Sequence, residues 1–296
     1  MTQLRLLACF AHPDDEAFTG SGVLAASTAR GVRTRLICAT SGEEGDIRHQ
    51  GIATRETLGQ IRHQELRRSC AVLGIEEPVM LGYRDSGWAD SPAQFHPQAF
   101  VQAPALQVLE RLVTEMRRFK PHIVLTFEPE GISGHKDHKA ISRHTTTAVR
   151  LAGDPTVFPA HRQAGLLPHH TARLLYVARP QGFRLQRASL LRQAGLDVPL
   201  PDAALHLQGV PLEALHIQLD VTPYLDTKLA SMRCHASQLT PEWSCDQVPR
   251  DIAAALLGQE YLIQALPDTP PGPPLATDFL EGLLPVPGAP AMPPLL

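Results

Sequence analysis

The feature that most constrains this chain is an alternation: short apolar runs, each leaving through a polar loop into a helix-like segment. Residues 4–11 (LRLLACFA) are nearly continuously apolar, as a strand buried on both faces requires. Residues 17–30 then place small and apolar side chains at helical spacing and meet Gly31, a helix stop. A second strand is expected over 32–39, an amphipathic helix over 58–74 ending at Gly74, and a short strand over 78–81. A helix over 105–119, a strand over 122–127 and a helix over 139–152 follow. This order predicts an α/β fold, a Rossmann-like and mostly parallel sheet with helices on both faces. Ligands of such sheets collect at the carboxyl ends of the strands, so the polar exit loops should converge on one rim.

Past residue 180 the pattern weakens. Residues 173–179 read as a further strand and 226–239 as a helix, while 181–225 has no clear periodicity. The expected division is a core over 1–180, a less regular portion over 181–266 that completes the pocket, and a Pro-rich tail over 267–296, in composition an extended arm.

Composition narrows the partners. A net charge of −3 is no signature for binding a polyanion, which argues against nucleic acid. The five cysteines show no CxxC spacing, and no apolar run approaches membrane-spanning length. The N-terminal apolar run is short and a charged turn follows it at once, unlike a signal peptide. A protein of a reducing compartment, the cytoplasm, is expected, and the sequence carries no signal for an oligomeric state.

The first strand leaves through HPDDE (12–16), one histidine and three carboxylates. Like charges so crowded are unfavourable unless they share a cation or a proton. Helix capping by Asp14 or Asp15 accounts for one carboxylate, not for the cluster. Gly20, Gly22 and Ala25 match G-x-G-x-x-A, but a dinucleotide needs its glycines in the strand-exit turn itself, which HPDDE fills with charge that repels phosphate. Close helix–sheet packing explains those glycines better. A metal site explains the turn: His12 and Asp15 can face one cation, with a further ligand from GHKDH (134–138) after the strand 122–127. Two histidines and a carboxylate suit catalytic zinc, and also a ferrous facial triad. If His12, Asp15 and His138 bind the ion, Asp14 is free to act as a base, and His135 with Asp137 as an acid or oxyanion partner. No G-x-S-x-G elbow offers a serine route.

The pair AHPDDE and GHKDH resembles the LmbE-like, or PIG-L, de-N-acetylases, a family that includes glycosylphosphatidylinositol de-N-acetylase and the deacetylases of mycothiol and bacillithiol synthesis. The resemblance covers the first 150 residues or so and a short stretch at 228–238. It implies a zinc hydrolase that removes an N-acetyl group from a small N-acetylglucosaminide by attack of a metal-bound water. It implies His12, Asp15 and His138 as metal ligands, Asp14 as base, and His135 tuned by Asp137 as acid or oxyanion partner. SGEEG (41–45), Arg62 with Glu65 in IRHQEL (61–66), GYRDSG (82–87) and KLASMRCHASQ (228–238) also look like family positions, which makes Arg62, Asp85, Lys228 and His235 candidate substrate contacts. A surface pairing of Arg62 with Glu65 and a turn-bracing role for Asp85 are the plainer alternatives. Ser133 stands where mycothiol-type members carry Tyr, and Lys136 where Pro is common. An amidase of thiol conjugates would use the same metal site; an Fe(II) enzyme or a non-catalytic metal binder are readings of other classes.

Overall fold

The computed structural model describes residues 3–49, 51–202, 205, 208–240 and 244–283. Its strands are β1 (Arg5–Phe10), β2 (Arg33–Thr40), β3 (Val79–Tyr83), β4 (Ile123–Phe127), β5 (Arg173–Ala178), β6 (Ile217–Asp220) and β7 (Gln259–Leu266). The helices are α1 (Asp15–Thr19), α2 (Ser21–Ala29), α3 (Leu58–Leu73), α4 (Ala105–Phe119), α5 (Lys136–Ala152), α6 (Ala160–Gln163), α7 (Phe183–Gln193), α8 (Leu225–Arg233), α9 (Ser244–Gln247) and α10 (Arg250–Leu257). All strands join one sheet in the order β3-β2-β1-β4-β5-β7-β6. The first five are parallel, while β7 runs antiparallel to both β5 and β6. The fold is therefore the expected α/β class, with a mixed edge that the sequence did not reveal.

The apolar runs build this sheet because both of its faces are covered. Leu6, Leu7, Phe10, Ile37, Val124, Leu125 and Phe127 are fully buried, each such side chain contributing roughly 1.5–3 kcal/mol. Helices α4 and α5 pack together, and α2, α3 and α8 form a second packed group. The chain order reverses between β1 and β4, so their exit loops open a crevice at a topological switch point. Those loops are HPDDE and GHKDH.

The helix expected over 17–30 is broken at Gly20 into α1 and α2. Gly22 sits where only hydrogen fits: a Cβ there would stand 2.5 Å from Val221 Cγ1 and 2.8 Å from the Glu260 carboxylate carbon. Glu260 accepts hydrogen bonds from Gly22 N (2.9 Å) and Val23 N (2.8 Å), and also pairs with Lys228. The helix end where a dinucleotide phosphate would lie thus holds a carboxylate from β7 of the same chain.

The Pro-rich segment is anchored at a few of its described positions, most of the others being exposed. Ala276 bridges to Ile217, Phe279 and Leu280 are fully buried, and Asp278 pairs with Arg30. Residues 284–296 of that segment lie outside the described residues. Among the described residues no helix is long and apolar enough to cross a membrane.

Candidate metal centre

The strand-exit turn is held by its own carboxylate. Asp15 Oδ2 accepts hydrogen bonds from Ala11 N (3.0 Å) and His12 N (2.7 Å), folding the turn back onto β1. Asp14, at the head of α1, makes no side-chain capping bond and adopts φ 115°, a left-handed conformation unusual for any residue but glycine. Capping therefore does not explain the paired aspartates. Arg62, on α3, fixes Asp14 from behind: its Nη2 lies 3.0 Å from Asp14 Oδ2 and also bonds Pro13 O, while Nη1 bonds Gly42 O at 2.6 Å.

On the facing loop, His135 is the N-cap of α5, its Nδ1 accepting the Asp137 N–H at 3.1 Å. That cap starts α5 at Lys136, three residues before the helix expected from residue 139. The His138 ring stacks on Phe127 at the end of β4, with centroids 4.2 Å apart. Its Nδ1 lies 3.0 Å from Gly131 O, which leaves Nε2 facing His12 Nδ1 at 3.2 Å and Asp15 Oδ1 at 3.2 Å. His12 Nδ1 is 3.8 Å from Asp15 Oδ2. The structure thus brings His12, Asp15 and His138 together from two strand exits, with Asp14 and His135 beside them. His12, His135 and His138 also form a group whose possible ligand atoms lie within 4.8 Å of one another, as do His12, Asp85, His135 and Asp137.

Asp137 acts on His135 through its charge and its N–H, while its carboxylate turns to His12. Its Oδ2 lies 3.2 Å from His12 Nε2 and accepts Ser86 N, and its Oδ1 accepts Ser86 Oγ. Asp85 Oδ1 is 3.4 Å from the same His12 nitrogen and accepts Gly87 N. Asp85 is buried, so it braces the turn and the His12 ring together.

The electrostatics follow from this packing. Burial opposes a charge on His12, but Asp85 and the hydrogen bond to Asp137 outweigh it and raise its pKa well above the ordinary value. Burial would raise Asp15, yet His138 and His12 hold it well below the usual carboxylate range. Asp14 goes the other way: burial raises it, against the opposing pull of Arg62. Burial, then His12 and His138, push His135 down to about 4, leaving it neutral.

Of the remaining candidates, Arg62 reaches Asp14 and not Glu65, which instead holds Ser237. His235 is fully buried, its Nε2 2.6 Å from Glu16 Oε1, and Glu16 Oε2 in turn accepts the Asp14 N–H. Lys228 is spent on Glu260. His235 therefore supports the site from beneath, while Arg62 and Lys228, though paired, line the cavities over it. Glu16 was passed over in the sequence although it closes the same HPDDE turn. Trp88 was also missed; it is 58% exposed, its ring 5.3 Å from that of His135. His12, Asp14, Asp85, Trp88, His135 and His138 line a cavity of about 420 Å³. A second cavity of about 520 Å³ adjoins it, and Asp14, Arg48 and Gln238 line both.

Fold and site together define a Rossmann-like α/β protein with a candidate metal centre at its switch point. A family model described as "PIG-L: GlcNAc-PI de-N-acetylase" matches residues 7–149. A relative from Thermomonospora curvata, named 1D-myo-inositol 2-acetamido-2-deoxy-alpha-D-glucopyranoside deacetylase, is 31% identical over 95% of this chain and 96% of its own. The chain belongs to the PIG-L de-N-acetylase family. Among solved structures, N,N'-diacetylchitobiose deacetylase from Pyrococcus horikoshii superposes with a TM-score of 0.59 at 19% identity, covering 82% of this chain and 75% of its own. GalB, a 4-carboxy-2-hydroxymuconate hydratase from Pseudomonas putida KT2440, gives a TM-score of 0.59 at 16% identity over 90% of this chain and 98% of its own. These two likenesses establish the fold alone, and the second shows why activity has to be argued from the site.

Proposed function

We propose that the protein is a metal-dependent hydrolase that removes the N-acetyl group from a small N-acetylglucosaminide, using a divalent ion, zinc, held by His12 Nδ1, the Asp15 carboxylate and His138 Nε2. One observation carries this reading. His12 Nε2 faces two carboxylates and His138 Nδ1 faces a carbonyl, so both outer nitrogens carry the ring protons. The inner nitrogens are then lone pairs 3.2 Å apart beside Asp15, an arrangement that repels unless a cation is shared. The outer partners, Asp137 on His12 and Gly131 O on His138, are those that orient imidazole ligands.

The chemistry such an ion supplies is a water acidified to a pKa of about 7 and a polarised acetamide carbonyl. Asp14 takes the proton of the attacking water. Arg62 occupies its Oδ2 and fixes its direction, leaving Oδ1 for the proton. The raised pKa of Asp14 brings it towards the working range of a base. His135 accepts the Asp137 N–H at Nδ1, so its proton is on Nε2. As a neutral donor it hydrogen-bonds the carbonyl oxygen as negative charge develops there. The leaving amine then regains its proton from Asp14. This gives His135 the oxyanion role of the two that the sequence left open. The relatives named for N-acetylglucosaminyl-inositol support the substrate class.

The test is primary-amine release from N-acetylglucosaminyl-inositol and diacetylchitobiose by zinc-loaded protein. Release from either supports the reading; none from both, with zinc confirmed bound, refutes it.

A further inference from the structure

Every polar atom of Asp14 but one is tied. Its carbonyl accepts Ala17 N (3.0 Å) and Phe18 N (2.9 Å), which starts α1, and its Oδ2 takes Arg62. Its N–H donates to Glu16 Oε2 at 3.1 Å. Among the described residues Oδ1 alone is left. An aspartate at a helix start ordinarily turns its carboxylate back onto the amides of the first turn. Here Glu16 reaches back to the Asp14 amide instead, as the glutamate of a capping box does. The Asp14 side chain is released from the helix, and its backbone is left-handed.

Glu16 is fully buried, so its pose depends on protein donors. Its Oε1 accepts Ser69 Oγ from α3 and faces His235 Nε2 at 2.6 Å. His235, just past α8, is fully buried too and lines neither cavity. Its segment is anchored on α3: Ser237 N and Oγ donate to Glu65 at 2.7 and 2.6 Å, and Ser231 Oγ lies 3.0 Å from Ser69 Oγ. The same helix carries Arg62. Both restraints on Asp14, Arg62 at its carboxylate and Glu16 at its amide, are thus referred to α3, and His235 completes the second.

We propose that His235 is a positioning residue for the hydrolysis: through Glu16 it holds the Asp14 backbone in the conformation that frees the carboxylate from the helix and turns it to the cavity. This role rests on the hydrolase reading because Asp14 is that reading's base; the restraint itself is a property of the fold. Without Nε2, Glu16 is a buried carboxylate short of one donor. It then takes up a proton or turns away, and either change weakens its hold on the Asp14 amide.

Two measurements on the zinc-loaded full chain test this. The first is kcat and KM for amine release from N-acetylglucosaminyl-inositol. His235→Leu should lower kcat by about tenfold or more with KM unchanged, and His235→Gln, which keeps a side-chain N–H for Glu16, should recover most of it. In an Asp14→Asn chain the same His235→Leu change should lower kcat no further, because no base remains to be aimed. A pair that serves stability alone costs the same factor in both backgrounds, and that result would overturn the proposal. The second measurement needs no turnover: hydrogen–deuterium exchange of the Asp14 amide, read by mass spectrometry with fragmentation to single residues. His235→Leu, and independently Glu16→Met, should speed that exchange by about tenfold or more while the amides of β1 keep their protection. Unchanged exchange in both variants would overturn the proposal whatever the activity. No amine release from the unaltered chain would fail the hydrolase reading, and the exchange then decides the restraint by itself. A thermal melt shows that each variant is folded; if His235→Leu is not, Glu16→Met carries both measurements.

Discussion

Asp14 and Arg62 form a partly buried pair, 3.0 Å apart, in which the guanidinium also spans Pro13 O and Gly42 O. One arginine from α3 thus holds both the carboxylate and the backbone of the turn that presents it. Left-handed backbone at a non-glycine residue costs on the order of 1–3 kcal/mol, and Arg62 is positioned to hold Asp14 in it.

Asp14→Asn should keep the fold and the metal, because asparagine tolerates left-handed backbone and still accepts from Arg62. It cannot take a proton. We expect kcat to fall by roughly 10²–10⁴, with zinc content by elemental analysis unchanged. Undiminished turnover would remove Asp14 from the role of base.

Arg62→Lys keeps the charge but not the fork that reaches three acceptors. Carbonyls of Pro13 and Gly42 lose a partner, so stability should drop by about 1–3 kcal/mol in urea unfolding. Turnover should fall with it, by about tenfold or more, since Asp14 is no longer aimed. A lysine variant with full activity would show that aiming is not needed.

Lys228→Met leaves the buried Glu260 carboxylate with only the Gly22 and Val23 amides. Removing one partner of a buried pair typically costs about 3–5 kcal/mol. The double variant Lys228→Met/Glu260→Gln should recover part of that loss. Urea midpoints for the single and double variants check both statements, and a single variant as stable as the unaltered chain would contradict them.

His144, on α5, is buried beside Phe100, and burial followed by the charge of Arg143 pushes its pKa down to about 4. The unfolded chain binds this proton near the ordinary value of about 6.5. The folded state therefore holds its full stability above that pH and loses it as pH falls from about 6.5 towards 4, by up to about 2 kcal/mol. His144→Gln should flatten this part of the curve. The check is urea unfolding of both proteins at a series of pH values; identical slopes would exclude His144 as the source.

The parallel half of the sheet was legible because strands covered on both faces must be apolar almost throughout, and residues 4–11 and 122–127 are. From those strands the switch-point crevice followed, and with it the meeting of HPDDE and GHKDH. The antiparallel edge was not legible. β6 has four residues and β7 alternates poorly between buried and open positions, so neither carries a period that rises above its surroundings. The pairing of Lys228 was hidden for that reason: its partner Glu260 lies on the strand that could not be read. The direction of Asp137 was hidden as well, because nothing in GHKDH says that its carboxylate crosses to His12 while its amide caps onto His135.

The central claim, amide hydrolysis at a metal held by His12, Asp15 and His138, is tested most directly by following amine release from N-acetylglucosaminyl-inositol through chelation and reloading. The account predicts release by the zinc-loaded chain, loss of that release after chelator treatment, and its return with one equivalent of zinc. Release that persists in the chelated, metal-free protein would contradict it.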